Sequence, residues 1–299
     1  MQTVWHKNSN QHKILFMSYS LLDRFRGAWL GSIVPLRPQQ EVTQQVAQWE
    51  QNTSFDVQQS YQWLASTEQN QTIDKETNPA RLLLKLLPAI VYYHDDWKTL
   101  AGILQDLSQN AALPANLERG LLVWSYIICL ELRGKDFLGL TNLLTMKLEL
   151  QPTEVEWLNI VEISYLQGSL LTELEQRLIH QPNREISLSI FCFLCNPEDY
   201  SLAVAQALRA TENATLVAAL TGALSGAYNG WHGIPVFWRY QVRDCNFFSQ
   251  ILRYTEDTIQ KWCGLEVKSD RLLSEPFVVT APRVAQARES LKIVSQADY

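Results

Sequence analysis

The stretch of sequence that decides the fold is residues 207–238, which read ALRATENATLVAALTGALSGAYNGWHGIPVFW. After its first few residues the stretch contains no Asp, Glu, Lys or Arg, and small residues recur along it. Gly222 and Gly226 are four residues apart, so they lie on one face of a helix. Ala223 is a further small residue beside them. The pattern predicts a buried helix whose small residues let a second backbone approach closely.

The partner of that face is predicted from the first long apolar segment. Gly27 and Gly31 are also four residues apart, and they lie in a segment, residues 20–34, with the pattern of a helix. Ser20 followed by Asp23 three residues later is typical of a helix N-terminus. We expect the two glycine-bearing helices to pack against each other.

A glycine pair of this kind also occurs where two helices meet in a membrane. A membrane-spanning helix, however, is a run of about 20 mostly apolar residues. Here the run is interrupted by polar side chains, namely Asn213, Thr215, Thr221, Ser225, Asn229 and His232. The pattern therefore favours a buried helix of a water-soluble protein over a membrane span.

The rest of the chain predicts one helix after another. Apolar residues recur with helical spacing, and Pro or Gly separates the segments. Besides the two helices above and one following Asp199, the predicted helices are residues 79–93, 95–107, 117–132, 136–148, 153–166, 168–180, 185–195 and about 247–262. The predicted class is all-α, a multi-helical bundle.

The ends of the chain differ from this pattern. Residues 1–19 are expected to form a flexible arm, and residues 39–77 are polar and predict short helices with exposed connections. Near the C-terminus, Phe277-Val278-Val279 is the best candidate for a strand. Residues 282–296 predict one more helix, with four apolar side chains on a single stripe: Val284, Ala287, Leu291 and Val294.

Composition limits the function. The chain has 299 residues, of which 46% are hydrophobic, enough for a large core. Its net charge of −6 argues against nucleic acid or an anionic membrane as the main partner. Five cysteines without a regular framework suit a reducing compartment, and the polar N-terminus has no secretory pattern. We expect a cytoplasmic protein.

Three groups of residues have both a chemical and a structural interpretation. Cys192-x-x-Cys195 could be half of a zinc site or a redox pair, but its apolar surroundings favour a buried helix. His94-Asp95-Asp96 could bind a metal, but a solvated turn just past a helix end is favoured. His232 could bind a ligand, although packing near Ile234-Pro235 is favoured.

The stretch that decides the fold also carries a resemblance. Residues 222–227 read Gly-Ala-Leu-Ser-Gly-Ala, and Ile234-Pro235 and Trp238 follow. This is similar to the last signature of the ADP-ribosylglycohydrolase family, in which a metal-binding Gly-Gly-Asp-Thr-Asp-Thr turn opens a Gly-Ala-Leu-x-Gly-Ala helix followed by Ile-Pro-x-x-Trp. Residues 211–216, Thr-Glu-Asn-Ala-Thr-Leu, stand at the place of the metal-binding turn.

Three other stretches resemble the same family in the same order. Residues 24–31 are similar to its opening helix, which the family continues with Gly-Asp-Ala-x-Gly; here Leu36 stands at the aspartate. Residues 78–96 resemble the helix that lines the ribose site, with Asn78 and Pro88 matching. Residues 187–200 resemble a Phe-Leu segment and its Pro-Asp turn. The family's Thr-Asp-Asp-Thr motif has no counterpart in residues 39–77. The domain is therefore predicted to span residues 20–264, followed by an extension, residues 265–299.

The resemblance implies an all-α ADP-ribosylglycohydrolase-like fold and, in active members, a pair of magnesium ions. Leu36, Asn213 and Thr215 stand at family metal positions but carry no carboxylate. Magnesium prefers several charged oxygens in near-octahedral geometry, and Glu212 supplies one carboxylate only. We therefore expect no catalytic residues, no metal and no cofactor, with Asn78 and Glu212 as possible remnants of the cleft.

Three functions remain open at this point. The first is a non-catalytic binding or scaffolding protein, a pseudoenzyme, whose partner is another protein. The second is a hydrolase that removes ADP-ribose from a modified substrate and would need magnesium. The third is a protein that binds ADP-ribose or a nucleotide without hydrolysis. Metal binding separates the second from the others, and nucleotide binding separates the third from the first.

Overall fold

A computed structural model of the chain describes residues 19–36, 78–110, 113–134, 140–150, 156–243 and 246–263. Within these ranges every regular element is helical, which confirms the predicted all-α class. The α-helices are α1 (Leu21–Ile33), α2 (Pro79–Tyr92), α3 (Trp97–Asn110), α4 (Ala115–Leu132), α5 (Leu140–Leu148), α6 (Glu156–Gln167), α7 (Leu171–Arg177), α8 (Arg184–Cys195), α9 (Tyr200–Ala207), α10 (Ala214–Gly233), α11 (Val236–Arg243) and α12 (Asn246–Trp262). A short 3-10 helix, Val34–Leu36, continues α1.

Helix α10 lies at the centre of the bundle. It packs most closely on α1 and also contacts α2, α4, α8 and α9. Its residues from Val217 to Ala227 are buried, as the lack of charge along this run predicts. The largest fully buried side chains around it include Phe25, Trp124 and Phe191. The core is therefore assembled around the stretch that the sequence marks as decisive.

Helices α1 and α10 meet backbone to backbone. A Cβ atom built on Gly226 would lie 2.0 Å from the carbonyl oxygen of Gly27, and one built on Gly222 would lie 2.1 Å from that of Gly31. The order of these pairs makes the two helices antiparallel. We call the four residues the glycine seam. The predicted close packing between the two glycine-bearing helices is confirmed.

Two side chains hold neighbouring helices onto α1. The buried Tyr200 hydroxyl, at the start of α9, donates a hydrogen bond of 2.7 Å to the carbonyl oxygen of Gly31. Ser20 caps α1 as predicted, because its hydroxyl accepts a hydrogen bond of 3.1 Å from the amide of Asp23. On the other side, Arg26 and Glu256 form an ion pair between α1 and α12.

The predicted turn at His94-Asp95-Asp96 is present and Asp95 is exposed, but His94 itself is buried, which the sequence did not indicate. The His94 side chain is 3% exposed, and its ring packs edge-on against Phe25 and also contacts Trp262. Asp95 accepts a hydrogen bond of 3.1 Å from the Trp262 indole. His94 is buried because α1 and α12, which are distant in sequence, pack against its ring.

Most predicted helix bounds agree with the observed ones to within a few residues. The largest difference is at residues 168–180, where the helix α7 is limited to Leu171–Arg177. Gly168, with φ of +65°, starts the chain in a left-handed conformation before that helix. The strand candidate at residues 277–279 and the predicted helix at residues 282–296 lie outside the described residues. Among the described helices, none combines the length and the apolarity that crossing a bilayer requires.

Candidate functional site

The turn that precedes α10 stands where the family resemblance places a metal-binding turn. Thr211, Glu212 and Asn213 are exposed and connect α9 to α10. Asn213 is the N-cap residue and has a left-handed backbone, with φ of +49° and ψ of 33°. Asn adopts this conformation more readily than most residues because its short polar side chain can bond locally. We call residues 211–215 the opening turn of α10.

A guanidinium group faces the opening turn. Arg184, the first residue of α8, places Nη1 2.5 Å from Oε2 of Glu212 and Nη2 3.7 Å from Oε1 of Glu175. Nη2 also donates a hydrogen bond of 3.2 Å to the Thr211 hydroxyl. The Arg184 guanidinium therefore pairs with two carboxylates, Glu212 of the opening turn and Glu175 of α7.

Glu175 is the buried member of this network. The residue is 4% exposed, and its Oε1 accepts hydrogen bonds from the backbone amide of Thr211 at 2.8 Å and from the Thr211 hydroxyl at 2.9 Å. A buried carboxylate needs donors and a counter-charge to offset lost hydration. Thr211 supplies the donors and Arg184 the counter-charge, so the turn is fixed to α7 and α8 together.

A third carboxylate lies at the N-cap of α10. Oε1 of Glu185 accepts a hydrogen bond of 2.8 Å from the side-chain amide of Asn213. The expectation that Glu212 alone supplies a carboxylate near the turn is therefore wrong. Glu175 and Glu185 come from other helices, so the sequence of the turn does not reveal them. All three carboxylates are already engaged, two with Arg184 and one with Asn213.

The other residues predicted for the site are placed as follows. Leu36 is the last residue of the 3-10 helix, which packs against α10. Thr215 is exposed in the first turn of α10. Asn78 is the N-cap of α2, and its oxygen accepts a hydrogen bond of 2.9 Å from the amide of Ala80. Asn78 and Glu212 each have a local structural role, and a shared residual cleft stays a prediction.

A second polar cluster lies at the opposite end of the glycine seam. Oδ1 of Asp23 is 2.6 Å from Nδ1 of His232, whose side chain is 69% exposed. Gly230 has φ of +66°, and a Cβ there would lie 2.2 Å from Oδ2 of Asp23. Only a glycine lets the helix turn there and the carboxylate lie against it. His232 is thus held by a carboxylate rather than packed into the core, which corrects its predicted structural role.

The same end of α1 covers a buried acid. Nη1 of Arg24 donates a hydrogen bond of 2.7 Å to the carbonyl oxygen of Glu131, at the end of α4. The Glu131 side chain is buried, and within the described part of the chain neither of its oxygens has a hydrogen-bond partner. Burial raises the pKa of Glu131 well above its ordinary value, and the nearby Arg24 only partly offsets that effect. Burial therefore favours the neutral form of this carboxyl.

The cysteine pair belongs to the core, as favoured from sequence. Cys192 is buried in α8 and Cys195 is half-buried at its end. Burial raises the pKa of both thiols, which keeps them protonated and weakly reactive. Across the described ranges, no group of three or more His, Cys, Asp or Glu side chains has the arrangement of a metal site.

The comparisons with known proteins bear on this site. A comparison with curated proteins found no match. A family model does match: the ADP-ribosylglycohydrolase model aligns with residues 44–267, which include the opening turn and all of α10. Helix α1 precedes the matched region, although it packs more closely on α10 than any other helix. The match covers well over half of the chain, and the protein belongs to the ADP-ribosylglycohydrolase family.

Proposed function

We propose that this protein is a non-catalytic member of its family, a pseudoenzyme that serves as a binding or scaffolding protein. The observation that carries the proposal is Arg184, a fixed cation that pairs with the one carboxylate of the opening turn, Glu212. The positively charged Arg184 side chain neutralises the Glu212 carboxylate, which a metal ion would need as a ligand. The proposal places the surviving function on the protein surface and makes the partner another protein, in the cytoplasm.

The ligand chemistry supports this proposal. Magnesium binds through carboxylates, carbonyls and water, and its tight octahedral shell tolerates little error. Asn213 offers one neutral oxygen in place of a carboxylate, and its amide already donates to Glu185. Thr215 offers a hydroxyl, which carries no charge. The residues of the opening turn do not fit a magnesium pair.

The electrostatics support it further. Two unit charges 4 Å apart interact by about 4 kcal/mol at the effective dielectric constant typical near a protein surface. A divalent ion placed beside Glu212 would be repelled by the Arg184 guanidinium with roughly twice that energy. The ion would also have to compete for a carboxylate that is already paired. Binding at the turn is therefore disfavoured unless Arg184 moves away.

The first test is calorimetric titration of the full chain with magnesium and with manganese. We expect no site tighter than about 1 mM. Stoichiometric binding of two ions near about 1 μM would overturn the proposal and restore the hydrolase. A catalytically active family member, titrated under the same conditions, is the positive control.

A parallel pair of measurements separates the remaining functions. Release of ADP-ribose from an ADP-ribosylated protein, measured in the presence of magnesium, would establish hydrolysis and end the pseudoenzyme proposal. Titration with ADP-ribose in the absence of metal would show whether the chain still binds the nucleotide without cleaving it. We expect neither signal, because a protein partner is the proposed ligand.

A further inference from the structure

Helix α11 exposes an apolar face. Val236 is 65% exposed, Phe237 64% and Tyr240 61%, and the three side chains are adjacent on the outer side of the helix. The inner side is held in place, because Val242 is buried and Trp238 packs edge-on against Tyr200. The exposed face is therefore carried by an ordered helix of the fold rather than by a frayed end.

The setting of this face is cationic. The guanidinium of Arg243 lies 5.7 Å from the Tyr240 ring, and that of Arg239 lies 5.3 Å from the Trp231 ring. Contacts of this type hold an arginine against an aromatic ring while its charge stays hydrated. They frame the face without covering Val236 or Phe237. Clustered exposed apolar side chains of this kind usually mark a surface at which another segment docks.

The chain itself contains a segment with an apolar stripe. The family match ends at residue 267, so the last residues of the chain add to the family domain. Within them, Val284, Ala287, Leu291 and Val294 form the predicted apolar stripe. A stripe of this kind requires an apolar surface to cover it. We propose that residues 282–296 dock through this stripe onto the exposed face of α11, defined by Val236, Phe237 and Tyr240.

The connection is long enough for this docking. Helix α12 has 17 residues and is therefore about 25 Å long. Its first turn lies near the end of α10, where Phe248 contacts Trp231, and α11 follows directly in the chain. The last residue of α12 bonds to Asp95. The docking segment must therefore return over the length of α12. Residues 264–281 make the connection, and a random coil of that many residues has a root-mean-square span of roughly 20–25 Å, which matches that distance.

The tether also favours this segment over a second copy of the chain. A flexible connection of this length gives an effective concentration in the millimolar range, far above the concentration of free protein in solution. A weak apolar contact is therefore made within one chain before it is made between two. The docked segment would cover α11 beside the 3-10 helix that carries Leu36.

Hydrogen exchange on the full chain tests the docking. We expect the amides of residues 284–294 to be protected, and the variant Phe237→Ser to raise their exchange rates by about tenfold. Leu291→Ser should in turn raise exchange in α11. The matched control is Leu166→Ser, which removes another exposed apolar side chain, 74% exposed, on α6 and should leave residues 284–294 unchanged.

Several outcomes would overturn the docking. Exchange of residues 284–294 at the unprotected rate in the wild-type chain would do so, and so would protection that Phe237→Ser leaves intact. Protection that rises with protein concentration would assign the face to a second copy. A Phe237→Ser effect confined to residues 39–77 would assign it to that segment instead. None of these results depends on whether the family site binds metal.

Discussion

Helix α10 meets α1 along the glycine seam with backbone against backbone, whereas its opening turn meets α7 and α8 through charged side chains. At the seam, the carbonyl oxygens of Gly27 and Gly31 occupy the space in which a side chain would sit. At the turn, Arg184 bridges Glu175 and Glu212. The first contact admits one residue type, whereas the second can be made by many combinations of residues.

Under the proposed function, the difference accounts for how a family scaffold could persist after a change at its site. A steric contact between backbones has no substitute, so the helix pair depends on glycine at each position. A charged turn requires only that charges be paired and donors satisfied. A guanidinium can meet that requirement as well as a metal ion can. We therefore expect substitutions at the seam to act on folding, and substitutions at the turn to act locally.

The largest expected effect is at the seam. Gly226→Ala places a Cβ 2.0 Å from the Gly27 carbonyl oxygen, and only separation of the two helices could relieve the contact. We expect a loss of about 3 kcal/mol or more in the free energy of unfolding, measured by urea denaturation. Gly102→Ala is the control, because nothing lies within 4 Å of its Cβ. That change should stabilise α3 by about 0.5–1 kcal/mol.

An Ala at position 226 as stable as wild type would show that the helices can separate freely. The comparison between a rigid seam and an adaptable turn would then fail. Gly222→Ala provides a repeat of the test on the second pair of the seam, where the distance is 2.1 Å.

The next effect is at the turn. Arg184→Ala leaves Glu175, which is 4% exposed, with hydrogen bonds from Thr211 but without its counter-charge. We expect a cost of about 2–3 kcal/mol, because the carboxylate stays buried. Glu212→Gln should cost at most about 1 kcal/mol, since Glu212 is largely exposed. Equal losses for the two variants would mean that Glu175 is not the anchor of the network.

The sequence predicts the seam better than the turn for a physical reason. The glycine pairs are four residues apart in one helix each, so periodicity alone places them on facing surfaces. The network at the turn joins Glu175, Arg184 and Thr211, which come from three separate segments. In sequence each of these residues resembles a solvated surface residue. The burial of His94 is hidden in the same way, since the residues that bury it are distant in the chain.

The pH dependence of stability provides a further test, at the buried Glu131. Burial raises the pKa of Glu131 in the folded state, whereas the unfolded chain ionises it near its ordinary value. The unfolded state therefore releases a proton first as pH rises. The stabilising contribution of the neutral carboxyl is complete below the unfolded pKa and is lost as pH rises through the folded pKa.

Glu131→Gln removes this titration while keeping the shape of a neutral carboxyl. We expect the melting temperature of the variant, relative to wild type, to increase as the pH rises from the ordinary pKa of a glutamate toward the raised pKa of Glu131. Other titrating groups are common to both chains and cancel in the difference. A constant difference across this range would place an ionised Glu131 in the folded protein, paired with Arg24.

The smallest effect tests whether the opening turn keeps the shape of the family site. Asn213 has φ of +49°, a conformation that costs Ala about 1–2 kcal/mol and Gly nothing. Asn213→Ala and Asn213→Gly both remove the hydrogen bond to Glu185, so their difference isolates the backbone term. We expect Ala to be about 1 kcal/mol less stable than Gly in urea denaturation. Asp shares with Asn a tolerance for this conformation, so an aspartate at this position, as in the family motif, would fit the same turn. Equal stability of the two variants would mean that the backbone relaxes away from the left-handed conformation, and an aspartate at this position would then gain nothing from the shape of the turn.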